Sequence, residues 1–431
     1  MISLYFWELK KYQVYKLEKV LAKPYKLFNK IQNYDWGTKN EHAFIPNLLG
    51  IPAEPDKAYA ELWIGAHPKA PSEIEIDGAL YPLDKVIEQF PVEILGQYAA
   101  EKYENKLPFL LKVLSAARAL SIQTHPNKEQ AVKLHASDPV NYPDDNHKPE
   151  IAIALDSLTA IAGFRPVNEI IHNLKKYPEL QSFASGEFIQ KLFELKDKFE
   201  LSVHLNMLYS KIMNSSSDQD KLSSVIEGII GKLKVKDDLT LEEQQFLKQH
   251  ELYGNDVGLL SFFFFNIVRL KPGQAIFTGA GIPHAYIEGN IIECMANSDN
   301  VVRAGLTNKF KDVNTLLEIM DYTFAEYDII NKEQSTDGVN YVTKAEEFEV
   351  TAYNKEQGYS RDFTNINKLL VIIITGGSLT VKWKDNDTQF SETFIKGESF
   401  LIPSILHDYT FTCEKTSKYF LVKIPYIRRA K

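Results

Sequence analysis

The sequence predicts a mainly β protein of the α+β class, in which two jelly-roll β-barrels are combined with one inserted block of helices. Three observations predict this class: short β-type runs between turn residues, one interval with a helical apolar period, and a sequence plan that occurs twice. The chain has 431 residues, of which 44% are hydrophobic and 25% are charged, which is ordinary for a globular protein of two or three domains.

Short β-type runs fill residues 24–160. Runs such as PFLLKVLSA and EIAIAL are separated by Pro, Gly, Asn and Asp, which favour turns, so this part is predicted to be all-β. The apolar run VGLLSFFFFNIVRL, residues 257–270, is shorter than the roughly 20 residues that span a bilayer. Its Phe and Val content and the following Pro272-Gly273 predict one buried strand.

The interval from Arg165 to residue 255 has the pattern of helices. NEIIHNLKKYPEL, GEFIQKLFELKDKFEL and KLSSVIEGIIGKLK place apolar residues at the i, i+3, i+4 and i+7 positions. In LTLEEQQFLKQ a threonine precedes an acidic first turn, which predicts a helix N-cap. Because strands resume after this block, the helices are predicted to be an insertion in a β body.

One plan of Lys, Gly, apolar strand, turn, His and Tyr occurs twice. The copies are KPGQAIFTGAGIPHAY (271–286) and KGESFLIPSILHDY (396–409). Such a repeat predicts two related jelly-roll barrels whose inner face can carry a ligand histidine.

Charge and cysteine content exclude several classes of function. The formal net charge is −8, which argues against nucleic acid as a partner because affinity for phosphate backbones comes from clustered Lys and Arg. The N-terminus has neither the apolar core nor the cleavage site of a secretory signal, and no membrane association is predicted. The two cysteines, Cys294 and Cys413, predict a reducing compartment, so we expect a cytoplasmic protein.

A candidate metal site begins in ALSIQTHPNKEQA. Gln123 and His125 are two residues apart, so on a β-strand they project to the same face, while Glu150 opens an apolar strand and His284 follows a Gly-Pro turn. Two imidazoles, one carboxylate and one amide oxygen suit Zn²⁺, although Fe²⁺, Mn²⁺ or Co²⁺ would also fit. A single carboxylate leaves the complex positively charged, so it can polarise a substrate oxygen. The spacing alone leaves open that these residues are only hydrogen-bonded or structural.

Five longer stretches resemble the hallmark blocks of the type I phosphomannose isomerase family, in the same order and with similar spacing. They are IQNYDWGTKN, AELWIGAHPKAPS, LPFLLKVLSAARALSIQTHPNKEQA, NHKPEIAIAL and GAGIPHAYIEGNIIECMANSDNVVRAGLTNKFKDV. The resemblance runs from about residue 25 to the C-terminus and is weak in the helical block and the final barrel. It implies tandem cupin-like barrels with an α-helical domain, and one zinc ion per chain held by Gln123, His125, Glu150 and His284. It also implies reversible interconversion of mannose 6-phosphate and fructose 6-phosphate through a cis-enediol, which feeds mannose and GDP-mannose metabolism.

The resemblance and the patterns together divide the chain into four parts. We expect an N-terminal extension at 1–24, a catalytic cupin domain at 25–164 and 256–322, a helical insertion at 165–255, and a C-terminal cupin-like domain at 323–431. The second barrel keeps His407 but has no Gln-x-His pair, so we expect no metal there. We expect a monomer whose only partner is a phosphorylated hexose.

The isomerisation moves a carbonyl between neighbouring carbons, so it needs a base and a stabilised enediolate. Arg303 resembles the active-site arginine of the family, and Lys148 is a second cation for the enediolate oxygen. The structural alternative for Arg303 is an ion pair with Asp299 or Glu293. Glu293, Asp299 and His147 compete as the base, and a proton shuttle through His147, Lys148 and Asp299 is a further hypothesis.

The substrate phosphate needs individually placed partners because the protein is acidic. The candidate phosphate ligands are Lys112, Ser121 and Lys309, with Arg303 as a further cation. Trp36, Glu61 and Tyr286 are candidates for lining the pocket, although an aromatic residue beside glycine more often packs in the core.

Two other function classes stay open at this point. Two histidines and one carboxylate also occur in Fe²⁺ oxygenases, although Gln123 as a fourth ligand argues against that class. A noncatalytic sugar-phosphate-binding cupin would need the pocket but neither Arg303 nor a base.

Overall fold

A computed structural model describes residues 17–330, 332–335 and 337–425. Most of the predicted N-terminal extension, residues 1–16, lies outside the described residues. Residues 17–24 form neither helix nor strand, and the backbone N–H of Leu17 donates to Gln89 Oε1 at 3.0 Å. No helix in the described part of the chain is long and apolar enough to cross a membrane.

The first part of the chain is mainly β, but it is not the all-β segment that the sequence predicted. Its strands are β1 (Tyr25–Leu27), β2 (Lys30–Gln32), β3 (Thr38–Lys39), β4 (Ala58–Tyr59), β5 (Glu61–Gly65), β6 (Glu73–Ile76), β7 (Ala79–Pro82), β8 (Phe109–Ala116), β9 (Ile122–Thr124), β10 (Glu150–Ala154) and β11 (Leu158–Phe164). Short helices lie between them at Phe44–Leu49, Leu83–Gln89, Pro91–Leu95, Gln97–Lys102 and Lys128–Ser137. The last of these is opened by a capping box between Asn127 and Gln130, a local signal that the strand pattern obscured.

The interval predicted to be helical is helical. Its α-helices are Val167–Lys176, Gly186–Glu194, Lys198–Asn214, Gln219–Leu233 and Leu241–Tyr253, with 3₁₀ turns at Pro178–Phe183 and Ser215–Ser217. Thr240 is the N-cap of the last helix, as predicted. The apolar faces of these helices share one core with residues of the β body, including Phe164 and Phe265.

A buried carboxylate joins the helices of this block. Glu243 is fully buried, and its carboxylate lies 2.6 Å from Lys176 Nζ and 2.5 Å from Lys236 Nζ, while the Tyr177 hydroxyl also donates to it. Burial raises the pKa of Glu243, but the hydrogen bonds from Lys176, Lys236 and Tyr177 outweigh it and lower the pKa to about 2. Since the unfolded-state pKa of Glu is about 4.3, the carboxylate stabilises the fold above that pH. The contribution is lost as the pH falls towards the folded-state value.

We expect Glu243→Gln to lower the free energy of unfolding by about 2 kcal/mol at neutral pH, because two ammonium groups lose their buried partner. The difference from wild type should shrink as the pH falls from about 5 to about 2, because the unfolded chain binds a proton at this carboxylate over a range in which the folded chain does not. Urea unfolding followed by far-UV circular dichroism measures both effects. Glu194→Gln, at an exposed position, is the control and should change stability by less than about 0.5 kcal/mol. A difference between Glu243→Gln and wild type that does not vary with pH would contradict this role.

The aromatic run at 257–270, predicted as one strand, is split. Val257–Phe263 forms a 3₁₀ helix and only β12 (Phe265–Leu270) is a strand, paired with β11. Asp256 Oδ1 accepts hydrogen bonds from the backbone N–H of Gly258 and of Leu306, both at 2.7 Å, and so holds the start of the run away from the sheet. The prediction was wrong for the first half because apolar periodicity cannot separate a buried strand from a buried helical turn.

The rest of the chain returns to strands. They are β13 (Ala275–Thr278), β14 (His284–Ala296), β15 (Val302–Gly305), β16 (Lys332–Ser335), β17 (Gly338–Tyr341), β18 (Glu349–Lys355), β19 (Ser360–Phe363), β20 (Leu370–Gly376), β21 (Ser378–Asp385), β22 (Thr388–Ile395), β23 (Ser399–Ile402), β24 (Tyr409–Thr412) and β25 (Ser417–Lys423). One helix, Val313–Ile319, follows β15.

Three sheets make up most of the β structure. A ten-stranded sheet has the order β12-β11-β14-β8-β5-β2. Of its remaining members, β9 and β10 pair with β14, β15 pairs with β9, and β13 pairs with β10. A seven-stranded sheet has the order β1-β23-β20-β25-β18-β17-β16, and a four-stranded sheet has the order β19-β24-β21-β22. The predicted α+β class is confirmed, although none of the sheets that the structure describes closes into a barrel.

The two copies of the repeated sequence plan, at 271–286 and 396–409, both form a glycine turn followed by a strand. Gly273 and Gly397 both have positive φ, at 76° and 89°, and each precedes a strand, β13 or β23. His284 then begins β14 and is buried, whereas His407 lies before β24 and is exposed.

The C-terminal strands enclose a core of apolar side chains such as Ile372 and Phe400. Because β1 pairs with β23, the start of the chain joins the C-terminal sheet. The predicted domain boundaries stay a prediction.

Candidate active site

Three neighbouring strands bring Gln123, His284 and Arg303 into one row. His284 on β14 and Arg303 on β15 are both aligned with Gln123 on β9, one from each side. Residues directly opposite one another in antiparallel strands place their side chains on the same face. His125 follows two residues after Gln123, so the extended chain carries it to this face as well.

His125, Glu150 and His284 form a compact group of possible metal ligands. One ligand atom from each lies within 4.8 Å of the others, and all three residues are buried. Glu150 Oε2 is 3.1 Å from His284 Nε2 and 3.6 Å from His125 Nε2. His125 Nδ1 donates to the carbonyl of Asn300 at 2.7 Å, and His284 Nδ1 donates to the carbonyl of Ile282 at 2.9 Å. Both Nε2 atoms are therefore left as the ligand atoms that face Glu150.

The protonation states of this group suit a metal cation. Burial and the nearby Lys148 ammonium lower the pKa of His125 to about 4, so its imidazole is neutral at pH 7. Burial raises the pKa of Glu150, but Lys148, 2.9 Å away, and His125 hold that pKa well below its ordinary value. His125 Nε2 is a buried polar atom that forms no hydrogen bond with any described residue, and native proteins normally avoid such atoms. This unpartnered nitrogen, the second imidazole and the carboxylate fit a zinc ion.

A cavity of about 580 Å³ lies beside this group. Most of the residues predicted for the site line it: Gln123, Glu150, Arg303, Lys148, Glu293, Asp299, Lys112, Ser121, Lys309, Tyr286, Trp36 and Glu61. Glu150 lines the cavity, and both His125 and His284 contact it, although neither histidine is itself a lining residue. The structure therefore brings the candidate ligands and the candidate substrate contacts into one place.

Lys112 and Glu293 form a buried pair in the cavity wall. They are directly opposite each other on β8 and β14, and Lys112 Nζ lies 3.1 Å from Glu293 Oε2 and 3.5 Å from Glu61 Oε2. Burial lowers the pKa of Lys112, but Glu293 and Glu61 outweigh it, so the pKa lies above its usual value. Burial raises the pKa of Glu293, and Lys112 offsets this only in part. A carboxyl group with a raised pKa in a cavity is suited to proton transfer.

The other two candidate bases are placed differently. Asp299 lies 2.7 Å from Lys69 Nζ and 3.5 Å from His67 Nε2, and hydrogen bonds from these residues outweigh burial and lower its pKa far below the usual range. His147 Nε2 lies 2.7 Å from Glu347 Oε1, and His147 is not among the lining residues. Neighbouring residues of an extended segment point to opposite sides, so Lys148 faces the cavity while His147 faces away from it. Of the three predicted shuttle residues, Lys148 and Asp299 line the cavity and His147 does not.

Arg303 and Lys309 are cavity cations that pair with no carboxylate within residues 17–330, 332–335 and 337–425. Arg303 makes no hydrogen bond or ion pair through its guanidinium to any residue that the structure describes, and burial lowers its pKa. The ion pairs with Asp299 or Glu293 that the sequence left open do not form, because those carboxylates contact lysines. Lys309 Nζ lies 6.0 Å from the centroid of the Tyr34 ring. Both cations are therefore available to an anionic ligand.

Several lining residues were not predicted from the sequence. They are Tyr34, Asp35, Trp63, Lys69, Leu114, Arg118, Ala119, Leu120, Leu252, Tyr253, Val301, Leu306, Thr307 and Asn308. Arg118 pairs with Asp35 and lies 5.8 Å from the centroid of the Tyr253 ring, and the Tyr253 hydroxyl donates to Ala119 O at 2.6 Å. Asp35, Lys69 and Arg118 belong to the conspicuous sequence blocks and could have been found there. Tyr253 ends the last helix of the inserted block, where the apolar pattern indicates only core packing.

Comparison with known proteins identifies the family. Residues 25–167 match the sequence model of the catalytic domain of type I phosphomannose isomerases. The mannose-6-phosphate isomerase of Emericella nidulans is 37% identical over 417 residues, which cover 85% of this chain and 89% of that relative. The chain belongs to the type I phosphomannose isomerase family. A further relative, the mannose-6-phosphate isomerase of Rattus norvegicus, is 41% identical over 309 residues, covering 68% of this chain and 72% of its own.

Solved structures of phosphomannose isomerases have the same fold. A point variant of the Salmonella typhimurium enzyme superposes with a TM-score of 0.82 at 28% identity, covering 94% of this chain and all (100%) of that one. A mannose 6-phosphate isomerase with zinc and yttrium bound has a TM-score of 0.81 at 27% identity, with the same coverage. The family fold therefore extends through the helical block and the C-terminal strands, where the sequence resemblance is weak.

Proposed function

We infer that the chain interconverts mannose 6-phosphate and fructose 6-phosphate. The observation that carries this inference is the buried group of His125, Glu150 and His284 beside a cavity in which Arg303 pairs with none of the described residues. Family membership supports the same reaction, because the relatives covering most of the chain are named mannose-6-phosphate isomerases.

One zinc ion, held by Gln123, His125, Glu150 and His284, is the proposed cofactor. The alignment of Gln123 with His284, the unpartnered His125 Nε2 and the zinc-bound relative support this assignment. Bound zinc would supply a Lewis acid that polarises a substrate oxygen. The other donors of the group, two imidazoles and one carboxylate, are typical of zinc enzymes.

Glu293 is the proposed base. In the forward direction its carboxylate takes the proton from C2 of the open-chain aldose and returns it to C1 of the enediol, which gives the ketose. The hydroxyl proton lost at O2 and the proton gained at O1 pass through a second group, for which Lys148 in the cavity wall is the candidate. The raised pKa of Glu293, caused mainly by burial, supports this role, whereas hydrogen bonds from His67 and Lys69 outweigh burial and keep the pKa of Asp299 low.

Arg303 is the proposed stabiliser of the negative enediolate oxygen. A partly buried guanidinium without a carboxylate partner in the described part of the chain is prepared for charge that develops during the reaction, because no ion pair seen there has to break. The position of Arg303 beside Gln123 places it next to the candidate metal ligands.

Lys309 and Ser121 are the proposed ligands of the substrate phosphate. Lys112, the third candidate from the sequence, is held between Glu293 and Glu61 and is better explained as a support for the base.

We expect Lys309→Gln to raise KM for mannose 6-phosphate about tenfold, because it removes one charge-assisted hydrogen bond, while kcat changes less than about threefold. Steady-state kinetics measures both. The control Lys234→Gln, at an exposed position in the helical block, should behave as wild type. An unchanged KM in Lys309→Gln would remove Lys309 from the phosphate site.

Turnover measured with and without a chelator tests the proposed function. Purified enzyme should convert mannose 6-phosphate to fructose 6-phosphate, and activity lost to the chelator should return when zinc is added. An oxygenase would consume oxygen instead, and a noncatalytic binder would bind the sugar phosphate without turnover. The cytoplasmic location and the monomeric state stay predictions.

A further inference from the structure

Asp144 holds the turn that orients the candidate ligand His125. Its Oδ1 accepts hydrogen bonds from Ser298 Oγ at 2.7 Å and from Asn300 Nδ2 at 3.1 Å, and its Oδ2 accepts one from the backbone N–H of Asp299 at 2.7 Å. One carboxylate therefore binds three consecutive residues. Asp144 is not among the residues that line the cavity.

The middle of this network is Asn300, which is completely buried. Its Nδ2 also donates to the backbone carbonyls of Asp144 at 2.7 Å and of Asn146 at 2.9 Å, and its N–H donates to Ser298 Oγ at 3.2 Å. Its own carbonyl accepts the hydrogen bond from His125 Nδ1 at 2.7 Å. The position of this carbonyl is thus set by the segment that begins at Asp144.

We propose that Asp144 is a positioning residue for the metal centre, acting through the carbonyl of Asn300 on the ring of His125. The hydrogen bond at Nδ1 fixes the ring with Nε2 towards Glu150, and hydrogen-bond partners of this kind strengthen metal binding by histidine. The inference rests on the proposed function, because it assumes that His125 binds zinc.

Asp144→Asn tests this role with little change in shape. The Asp144 carboxylate also accepts a hydrogen bond from the backbone N–H of Asn146 at 3.0 Å, which makes four in total. An asparagine side chain has one acceptor oxygen and one donor amide, so it cannot accept all four. We expect the affinity for zinc to fall about 10–100-fold, the range found for partners of metal-binding histidines. Competition with a chelator of known zinc affinity, applied to the full chain, measures this without reference to activity.

The matched control is Asp156→Asn. Asp156 is also a partly buried loop carboxylate, and it accepts hydrogen bonds from the backbone N–H of Asn290 at 2.9 Å and from Asn290 Nδ2 at 2.5 Å. Asp156 contacts no residue of the candidate metal group, so its variant should lose stability without losing zinc affinity. A second variant, Ser298→Ala, removes one donor of the network and should weaken zinc binding in the same direction as Asp144→Asn.

Thermal unfolding with and without zinc separates positioning from simple stabilisation. If Asp144 only stabilises the fold, Asp144→Asn lowers the unfolding temperature equally with and without zinc. If Asp144 positions the metal ligand, the variant also shows a smaller rise in unfolding temperature on addition of zinc. The inference is overturned if Asp144→Asn binds zinc with wild-type affinity and shows the same zinc-induced rise in unfolding temperature as wild type. If His284→Ala binds zinc as tightly as wild type, the proposed metal site itself is wrong and the inference fails with it. If only His284→Ala loses zinc, the site stands and Asp144 has no part in it.

Discussion

Replacing His284 by alanine is expected to remove zinc from the enzyme and to lower kcat about 1000-fold or more. The change deletes one of two imidazoles in a group whose ligand atoms lie within 4.8 Å of each other, and it leaves Glu150 buried with one histidine. Loss of a Lewis acid removes several kcal/mol of charge stabilisation, and about 4 kcal/mol corresponds to this factor.

Zinc content by elemental analysis and turnover of mannose 6-phosphate measure the two effects together. His204→Ala makes the same chemical change at a partly exposed position on a helix of the inserted block and should keep both zinc and activity. Full activity in a His284→Ala enzyme that has lost its zinc would rule out a catalytic metal. Full zinc content in this variant would remove His284 from the ligand set.

Arg303→Lys is expected to keep zinc while kcat falls about 100–1000-fold. The guanidinium is planar, permanently charged and carries several N–H donors in a fixed arrangement, whereas the lysine ammonium is a compact charge on a flexible aliphatic chain. Lysine therefore cannot reproduce the hydrogen bonds of Arg303 to a developing enediolate. The absence of any partner for the Arg303 guanidinium among the described residues indicates that its role is towards substrate and not towards the fold.

Steady-state kinetics and zinc content check this prediction. If Arg303 mainly binds the phosphate, KM rises and kcat is kept, and an unchanged kcat would remove Arg303 from the chemical step. Arg361→Lys, which changes an arginine paired with Asp337 in the C-terminal part, should leave kcat and KM at wild-type values.

Local signals in the sequence were sufficient for the helical block. The apolar period between Arg165 and residue 255 and the cap at Thr240 depend on neighbours a few residues away, so they predict helices without knowledge of the fold. The aromatic run after Asp256 shows the limit. Which half of it becomes a strand depends on pairing with β11, more than ninety residues earlier in the chain.

The candidate metal ligands could be named from the sequence because residue types and spacing resemble a known family. Their convergence could not be derived from spacing, since it depends on the pairing of β14 with both β9 and β10. Local sequence also could not decide which way His147 and Lys148 point, and the structure places only Lys148 in the cavity. Tyr253 was missed because a helix end contributes to the site only through tertiary packing.

Diffraction data recorded on both sides of the zinc absorption edge test the central claim most directly. Crystals of enzyme with measured zinc content should show one anomalous peak per chain, about 2.0–2.2 Å from His125 Nε2, His284 Nε2 and a Glu150 oxygen, with the Gln123 amide oxygen as fourth ligand. An anomalous peak at any other place in the chain would contradict the account. So would a zinc-containing crystal in which these four side chains contact only one another and solvent.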